Sequence, residues 1–407
     1  MSLSSSSDTQ RLQRGFTLVE LMVAMAIGLV LVMAITSMIL VSQTHERITT
    51  GSNDMSQNGA FTAAILDNSL RSAGAGFSQY WNRGLMGCKI HAKRSGSQIL
   101  PRTRALPTPF GNFMDGAAGI GDLRLAPLLI GEGQSSGGSD VLISMSGLSN
   151  VGDVPRVVRS YSDSEKKLYL ENTVSIHQND VIIIAREGVA DCILTQVDGG
   201  ASTPFIDTAG QTALPLGGAY FNAQSANGSV TLDNMTVSSA GRAILAAIGN
   251  TNNLQMQVLG VGTDNVLYRY DLLQSSGKDA SEAMAEGVVA MRAIYSVDNN
   301  ADNPDLNPSP AWQAPNGNFA INNLISQNPP ARIRSILAVR VALLLRSVAK
   351  QQNIAASSSY TLLKGTSAAD TINLSDADRY YTHRLVEITI PLRPMMMRLR
   401  PPEEELS

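Results

Sequence analysis

Little in this chain can do redox or metal chemistry: 407 residues contain only two cysteines and four histidines. HExxH, P-loop, paired CxxC and GxGxxG patterns are all missing, so the reactions those motifs carry have no support. Charge is scarce as well. Asp, Glu, Lys and Arg make up 16% of the chain against the usual quarter. The net charge of −3 leaves no electrostatic footprint for a nucleic acid. Aromatic residues are only 5%, while Gly, Ser, Asn and Thr abound, which points to a turn-rich, mostly β domain.

The fragments that resemble sites are weak. Gly133-Gln134-Ser135-Ser136-Gly137 matches GxSxG by letter, but a nucleophile elbow needs a strand before it and a helix after it. Here it sits within Gly131 to Ser139, which reads as a flexible low-complexity linker. Cys88-Lys89-Ile90-His91 has ligand-like spacing, yet one Cys and one His do not make a metal site. A structural Cys beside a surface His is expected. The run Asp298 to Asp305 offers oxygen ligands for Ca²⁺ but lacks the Gly and terminal Glu of an EF-hand loop; it reads as a solvated Asn/Asp turn. Arg332, Arg334, Arg340 and Arg346 read as the polar face of a half-buried strand. No cofactor and no enzymatic activity are expected.

What the chain does have is an almost unbroken apolar run from Leu21 to Val41, interrupted only by Gly28, Thr36 and Ser37 and free of charge until Glu46. At 1.5 Å per residue, about 20 residues span a bilayer core of about 30 Å. One carboxylate, Glu20, stands at its start. Bilayer packing has no use for it, so it is a functional-site hypothesis by default. The preceding leader, Met1 to Gly15, is polar and carries Arg11 and Arg14. A secretory signal has its apolar stretch before the cleavage site; here the apolar stretch follows the leader and stays with the mature protein. The arginines place the N-terminus in the cytoplasm and the bulk of the chain outside.

Arg14-Gly15-Phe16-Thr17-Leu18-Val19-Glu20 resembles the processing site of type IV prepilins and of type II secretion pseudopilins. The resemblance implies that a prepilin peptidase cuts between Gly15 and Phe16 and N-methylates Phe16. Glu20 is then the fifth mature residue. Positions i and i+4 share a helix face, so Glu20 is expected to reach the Phe16 ammonium or that of a neighbouring subunit during assembly.

Helical character continues past Val41 through Met55, Phe61, Ile65, Leu66 and Leu70, and Gly74 and Gly76 end it. Strands are expected at 140–144, 156–161, 167–170, 181–186 and 192–197, as antiparallel meanders. Further strands are expected at 242–248, 254–259, 266–272, 288–297, 333–347 and 381–392, with a short helix over 282–286 before the fourth of these. The expected fold is α+β and pilin-like. It comprises a leader (1–15), a transmembrane half-helix (16–41), a periplasmic half-helix (42–77) and a β-rich exodomain (78–400) with a sub-boundary near 199–240. Two cysteines outside the membrane, in an oxidising compartment, allow one pairing, Cys88 with Cys192; two buried free thiols are the alternative.

The later runs extend the resemblance. Asn179 to Ile182 with Ala190 to Leu194, Leu267 to Tyr270, Glu286 to Val289 leading to Tyr295 to Asp298, Trp312, Ile336 to Leu344, Tyr360 to Leu362 and Arg384 to Arg393 are similar to the PilW family of minor pilins. That resemblance implies a low-abundance subunit that primes type IV pilus assembly near the filament tip and supports adhesion or twitching motility. Its implied partners are other minor pilins, the major pilin, the prepilin peptidase, the assembly platform and a large tip adhesin. Its implied path runs from the bacterial inner membrane, single-pass with the bulk periplasmic, to the pilus and cell surface. The alternatives are a type II secretion pseudopilin and an exported adhesin or DNA-uptake module on a pilin stalk.

Overall fold

The computed structural model describes residues 17–78, 84–114, 123–147, 156–236, 241–251, 253–300, 309–325, 331–348, 350 and 357–397. The chain falls into two compact units, Met1–Asn53 and Asp54–Ser407, so that the boundary lies inside the first helix, α1 (Leu18–Arg71).

In the first unit, every residue from Leu18 to Val41 except Gly28 is exposed. The span Leu18–Gln43 has a mean hydropathy of 2.7 and is 26 residues long, about 39 Å at 1.5 Å per residue. A helix apolar on all sides has no face for water. The two hydroxyls in its middle, Thr36 and Ser37, are satisfied within the helix. Thr36 Oγ1 donates to Val32 O at 2.7 Å and Ser37 Oγ to Ala34 O at 2.8 Å, so neither presents an unpaired polar group to lipid.

The second unit begins with the rest of α1, whose buried positions Met55, Gly59, Thr62, Leu66, Ser69 and Leu70 recur at helical spacing. Gly59 permits close approach, since a Cβ there would lie 2.9 Å from Leu345 Cδ1. Strands then follow as β1 (Lys89–Arg94), β2 (Ser97–Leu100), β3 (Leu128–Gly131), β4 (Val141–Ser146), β5 (Arg156–Ser162) and β6 (Lys167–Leu170). Next come β7 (Asp180–Arg186), β8 (Asp191–Gln196), β9 (Ala213–Pro215), β10 (Ala243–Asn250), β11 (Gln255–Val261), β12 (Val266–Asp271) and β13 (Glu282–Glu286). The last are β14 (Val288–Asp298), β15 (Pro310–Gln313), β16 (Ile336–Arg346), β17 (Ser359–Leu362), β18 (Asp370–Asn373) and β19 (His383–Pro391).

Among the described residues these strands form an eight-stranded sheet (β2-β1-β8-β7-β10-β5-β6-β9), a five-stranded sheet (β13-β12-β11-β4-β3), a four-stranded sheet (β15-β14-β16-β19) and the hairpin β17-β18. The continuous apolar runs are strands buried on both faces. In β10, Ile244, Ala246 and Ile248 join the main core with α1, while Ala243, Leu245 and Ala247 join a second core on the opposite face. In β16, Val341, Leu343 and Leu345 face the main core, and Ala342 and Leu344 lie under the β17–β18 hairpin.

One connection shapes the whole unit. β4 and β11 are antiparallel neighbours, with Ser146 opposite Gln255, yet residues 147–254 lie between them. That segment leaves the five-stranded sheet, builds β5 to β10 of the eight-stranded sheet, and returns to the point of departure. The exit is tight: a Cβ on Gly147 would stand 1.9 Å from Ile248 O.

Four expectations are corrected. Residues 282–286 form an edge strand, β13, and not a helix. Their Ala, Met and Glu favour helix intrinsically, but pairing with β12 satisfies the backbone and Arg269 binds Glu282 at 2.6 Å, so tertiary contacts override propensity. The first runs pair antiparallel but do not follow one another as a continuous meander: β4 pairs with β3 and β11, β10 stands between β5 and β7, and β1, outside the expected strands, joins β8 in parallel. The segment 131–139 is no flexible linker: Ser135 and Ser139 are buried. It closes the edge of β14 that β15 leaves open, with Met291 N–H donating to Ser139 Oγ at 3.1 Å and Asp140 N–H to Met291 O at 3.0 Å. Finally, Arg332 and Arg334 stand on a helical turn, Ala331–Arg334, leaving Arg340 and Arg346 on β16. Arg340 stacks over the Trp312 ring at 4.1 Å.

Candidate functional site

The N-terminus of α1 carries a reciprocal cap. Thr17 is the N-cap and Glu20 occupies the third helical position. Glu20 N–H donates to Thr17 Oγ1 at 3.3 Å, and Thr17 N–H and Oγ1 donate to Glu20 Oε2 at 3.3 and 3.2 Å. This is the Ser/Thr-x-x-Glu capping box, in which each side chain satisfies a backbone N–H that the helix leaves orphaned. The T-x-x-E spacing is the sequence signature of this cap, a role for Glu20 in addition to the ammonium pairing expected from its place four residues after Phe16. Gly15 and Phe16 lie outside the described residues. Glu20 is exposed, and its carboxylate sits at the positive end of the helix dipole. The site therefore presents an anion, held by its own chain, at the head of a membrane-length apolar helix.

The two cysteines form a disulfide, with Cα atoms 5.6 Å apart and a sequence separation of 104. Cys88 directly precedes β1 and Cys192 lies on β8. The bond therefore ties the segment after α1 to the excursion 147–254, across the parallel pair in which Ile90 stands opposite Cys192.

The remaining candidates do not assemble a catalytic site. Ser135 is buried in a loop, its Oγ accepting from Ser139 N–H at 3.1 Å. No strand-turn-helix surrounds it. Asp298 Oδ1 accepts from Asn300 N–H at 3.0 Å and Ser309 N–H at 2.8 Å, closing the loop; residues 301–305 lie outside the described residues. His91 is not a surface residue: it is buried, with Nε2 2.7 Å from Asp191 Oδ1. Among the described residues no group of three or more His, Cys, Asp or Glu could hold a metal ion.

Asp140 is a titrating group that the sequence did not mark. It accepts from Gly133 N–H at 2.9 Å and Ala293 N–H at 2.8 Å, with Arg292 Nη1 at 3.6 Å. Burial outweighs these partners and raises its pKa to about 6. A folded pKa above the unfolded one means stability is full below about pH 4 and is lost as pH rises to about 6, by about 3 kcal/mol. Urea melts between those pH values are expected to show this decline. Asp140→Asn is expected to flatten it while losing one backbone hydrogen bond at every pH. An unchanged slope in the variant would assign the dependence elsewhere.

Compared with known families, residues 253–394, about a third of the chain, match the family described as Type IV Pilus-assembly protein W. Residues 10–36 match the Prokaryotic N-terminal methylation motif. The first match begins at β11 and ends beyond β19, so the eight-stranded sheet lies outside it. The second spans the capping box and most of the apolar run. No curated protein and no solved structure matches the chain.

Proposed function

From the premise that this chain is a type IV pilin of the PilW family, we propose that it is a minor pilin that primes pilus assembly within a tip-proximal minor-pilin complex. The observation that carries the reading is the juxtaposition at the N-terminus. A methylation motif adjoins a capped Glu20 and 26 residues of apolar helix, none of them buried among the described residues. Such a helix is stable in lipid or in a bundle of like helices, and not in water between the two. The protein accordingly waits in the inner membrane, leader inside and β-rich unit in the periplasm, until it passes directly into a bundle with other minor pilins and the major pilin. The prepilin peptidase and the assembly platform are its expected processing and loading partners, and a large tip adhesin its expected cargo.

The order of events gives the test. Gly15 offers a peptidase cleft no side chain, so Gly15→Val is expected to leave residues 1–15 attached, where the unaltered protein begins at a methylated Phe16. Mass spectrometry of the membrane protein reads this directly. Deletion of the whole chain is expected to lower the number of pili while the length of those formed stays near normal. A Met1 terminus on the unaltered protein in a strain with active peptidase, or a normal pilus number in the deletion, counts against the proposal.

A further inference from the structure

The four-stranded sheet ends on β19, a nine-residue strand with no further strand beside it among the described residues. The ends of the other large sheets are blunted in the ways that keep an edge from recruiting foreign strands. β2, β3 and β15 have four residues each, β9 has three, and β13 has five with a Glu at either end. Only β19 offers a long edge.

Its backbone alternates between two sides. Leu392 N–H donates to Leu337 O at 2.8 Å and Ser347 N–H to Thr382 O at 2.9 Å. Between these bonds the register runs unbroken, from Ala338 opposite Pro391 to Arg346 opposite His383. Bonded pairs recur at every second residue of an antiparallel ladder, so the even-numbered residues of β19 bond β16. Leu385, Glu387 and Thr389 therefore turn N–H and C=O away from the sheet, and no described residue bonds these backbone groups. Pro391, which has no N–H, closes the run. The charges that could guard the edge are held to its two faces. Arg384 Nη1 donates to Ser56 Oγ on α1, and Glu387 Oε1 accepts from Leu363 N–H at 3.0 Å, just after β17.

The side chains select what can pair here. Val386 and Ile388 are half-buried against the main core, so apolar residues beside them extend that core. Glu387 is exposed, and a residue directly opposite it is favoured as a cation and disfavoured as an acid. A second copy of the chain supplies no such cation. In two-fold antiparallel pairing through this edge, odd-numbered residues face odd-numbered ones, so Glu387 meets His383, Leu385, Thr389, Pro391 or itself and never Arg384. Burial lowers the His383 pKa and keeps that ring neutral.

The geometry points to β19 as a docking edge that takes up an extended segment of a partner protein by strand addition. The segment runs antiparallel to β19 and pairs with the backbone of Leu385, Glu387 and Thr389. It sets apolar residues beside Val386 and Ile388 and a Lys or Arg opposite Glu387.

Fluorescence anisotropy on the full-length protein in detergent tests this with a labelled peptide in which Thr and Val alternate around one central Lys. Binding is expected to vanish when the amides facing the edge are N-methylated. Thr389→Pro removes an outward N–H without touching the ladder to β16, and is expected to weaken binding at least roughly tenfold. Glu387→Lys is expected to reverse the charge preference, so that a central Glu binds about threefold more tightly than a central Lys. That variant decides the matter if Thr389→Pro lowers the melting temperature. No binding of the Lys peptide, or equal binding by the unaltered protein and both variants, would overturn the proposal. So would binding that appears only after residues 398–407 are removed, which gives the edge to the chain's own tail. A dimer that Thr389→Pro dissociates gives it to a second copy and overturns the proposal equally.

Discussion

Glu20→Ala is expected to leave the β-rich unit folded and the apolar helix in the membrane, yet to lower pilus number and weaken cross-linking to partner minor pilins. The size of the effect follows from two contributions. Losing the capping box costs about 1 kcal/mol at the helix start, too little to disturb a 26-residue apolar span. Enclosing the carboxylate among other helices is a different matter, because an unpaired buried charge costs several kcal/mol and so demands a cation. The cation available after processing is an N-terminal amine, that of the same chain or of a neighbour. Thr17 holds Glu20 Oε2 until then, at 3.2 and 3.3 Å. Two further variants separate the roles. Glu20→Gln keeps an acceptor for Thr17 without the charge and is expected to behave like alanine. Thr17→Val removes the side-chain half of the cap, keeps the charge, and is expected to assemble almost normally. Normal pilus number and cross-links in Glu20→Ala would end the reading of this carboxylate as an assembly contact.

Loss of the Cys88–Cys192 disulfide is expected to be the largest stability effect in the β-rich unit. The bond closes a loop of 104 residues, for which the chain-entropy account gives up to about 4.7 kcal/mol and practice usually 2–4 kcal/mol. Its position increases the consequence. The bond lies across the parallel β1–β8 pair, where the segment after α1 meets the excursion 147–254, so reduction frees that sheet to separate from β1. The double variant Cys88→Ser with Cys192→Ser should show a lower urea midpoint and new protease cuts in residues 89–100. A change below about 1 kcal/mol, small beside the usual range for such bonds, would mean that the buried sheet alone holds the excursion in place.

The local features were legible because each depends on neighbours in sequence. A polar leader, Gly15-Phe16, Glu20 and an apolar run suffice to define a membrane-length helix with an acid at its head, and the structure has that helix from Leu18 onward. Runs such as Val181 to Arg186 and Ile336 to Leu345 read as strands because their apolar character is continuous over strand length, and both are buried on two faces. What the sequence could not determine rests on partners far along the chain. Residues 282–286 have helical composition and become a strand because β12 offers an open edge. His91 looked like a surface residue and is buried because Asp191 and the backbone at Ala226 supply its hydrogen bonds. The Gly/Ser stretch before Asp140 looked flexible and is ordered by the unpaired edge of β14. The disulfide joins β1 and β8, segments about a hundred residues apart that no local period relates. Periodicity and composition report what a segment can bury; only the tertiary structure decides which distant groups complete its hydrogen bonds.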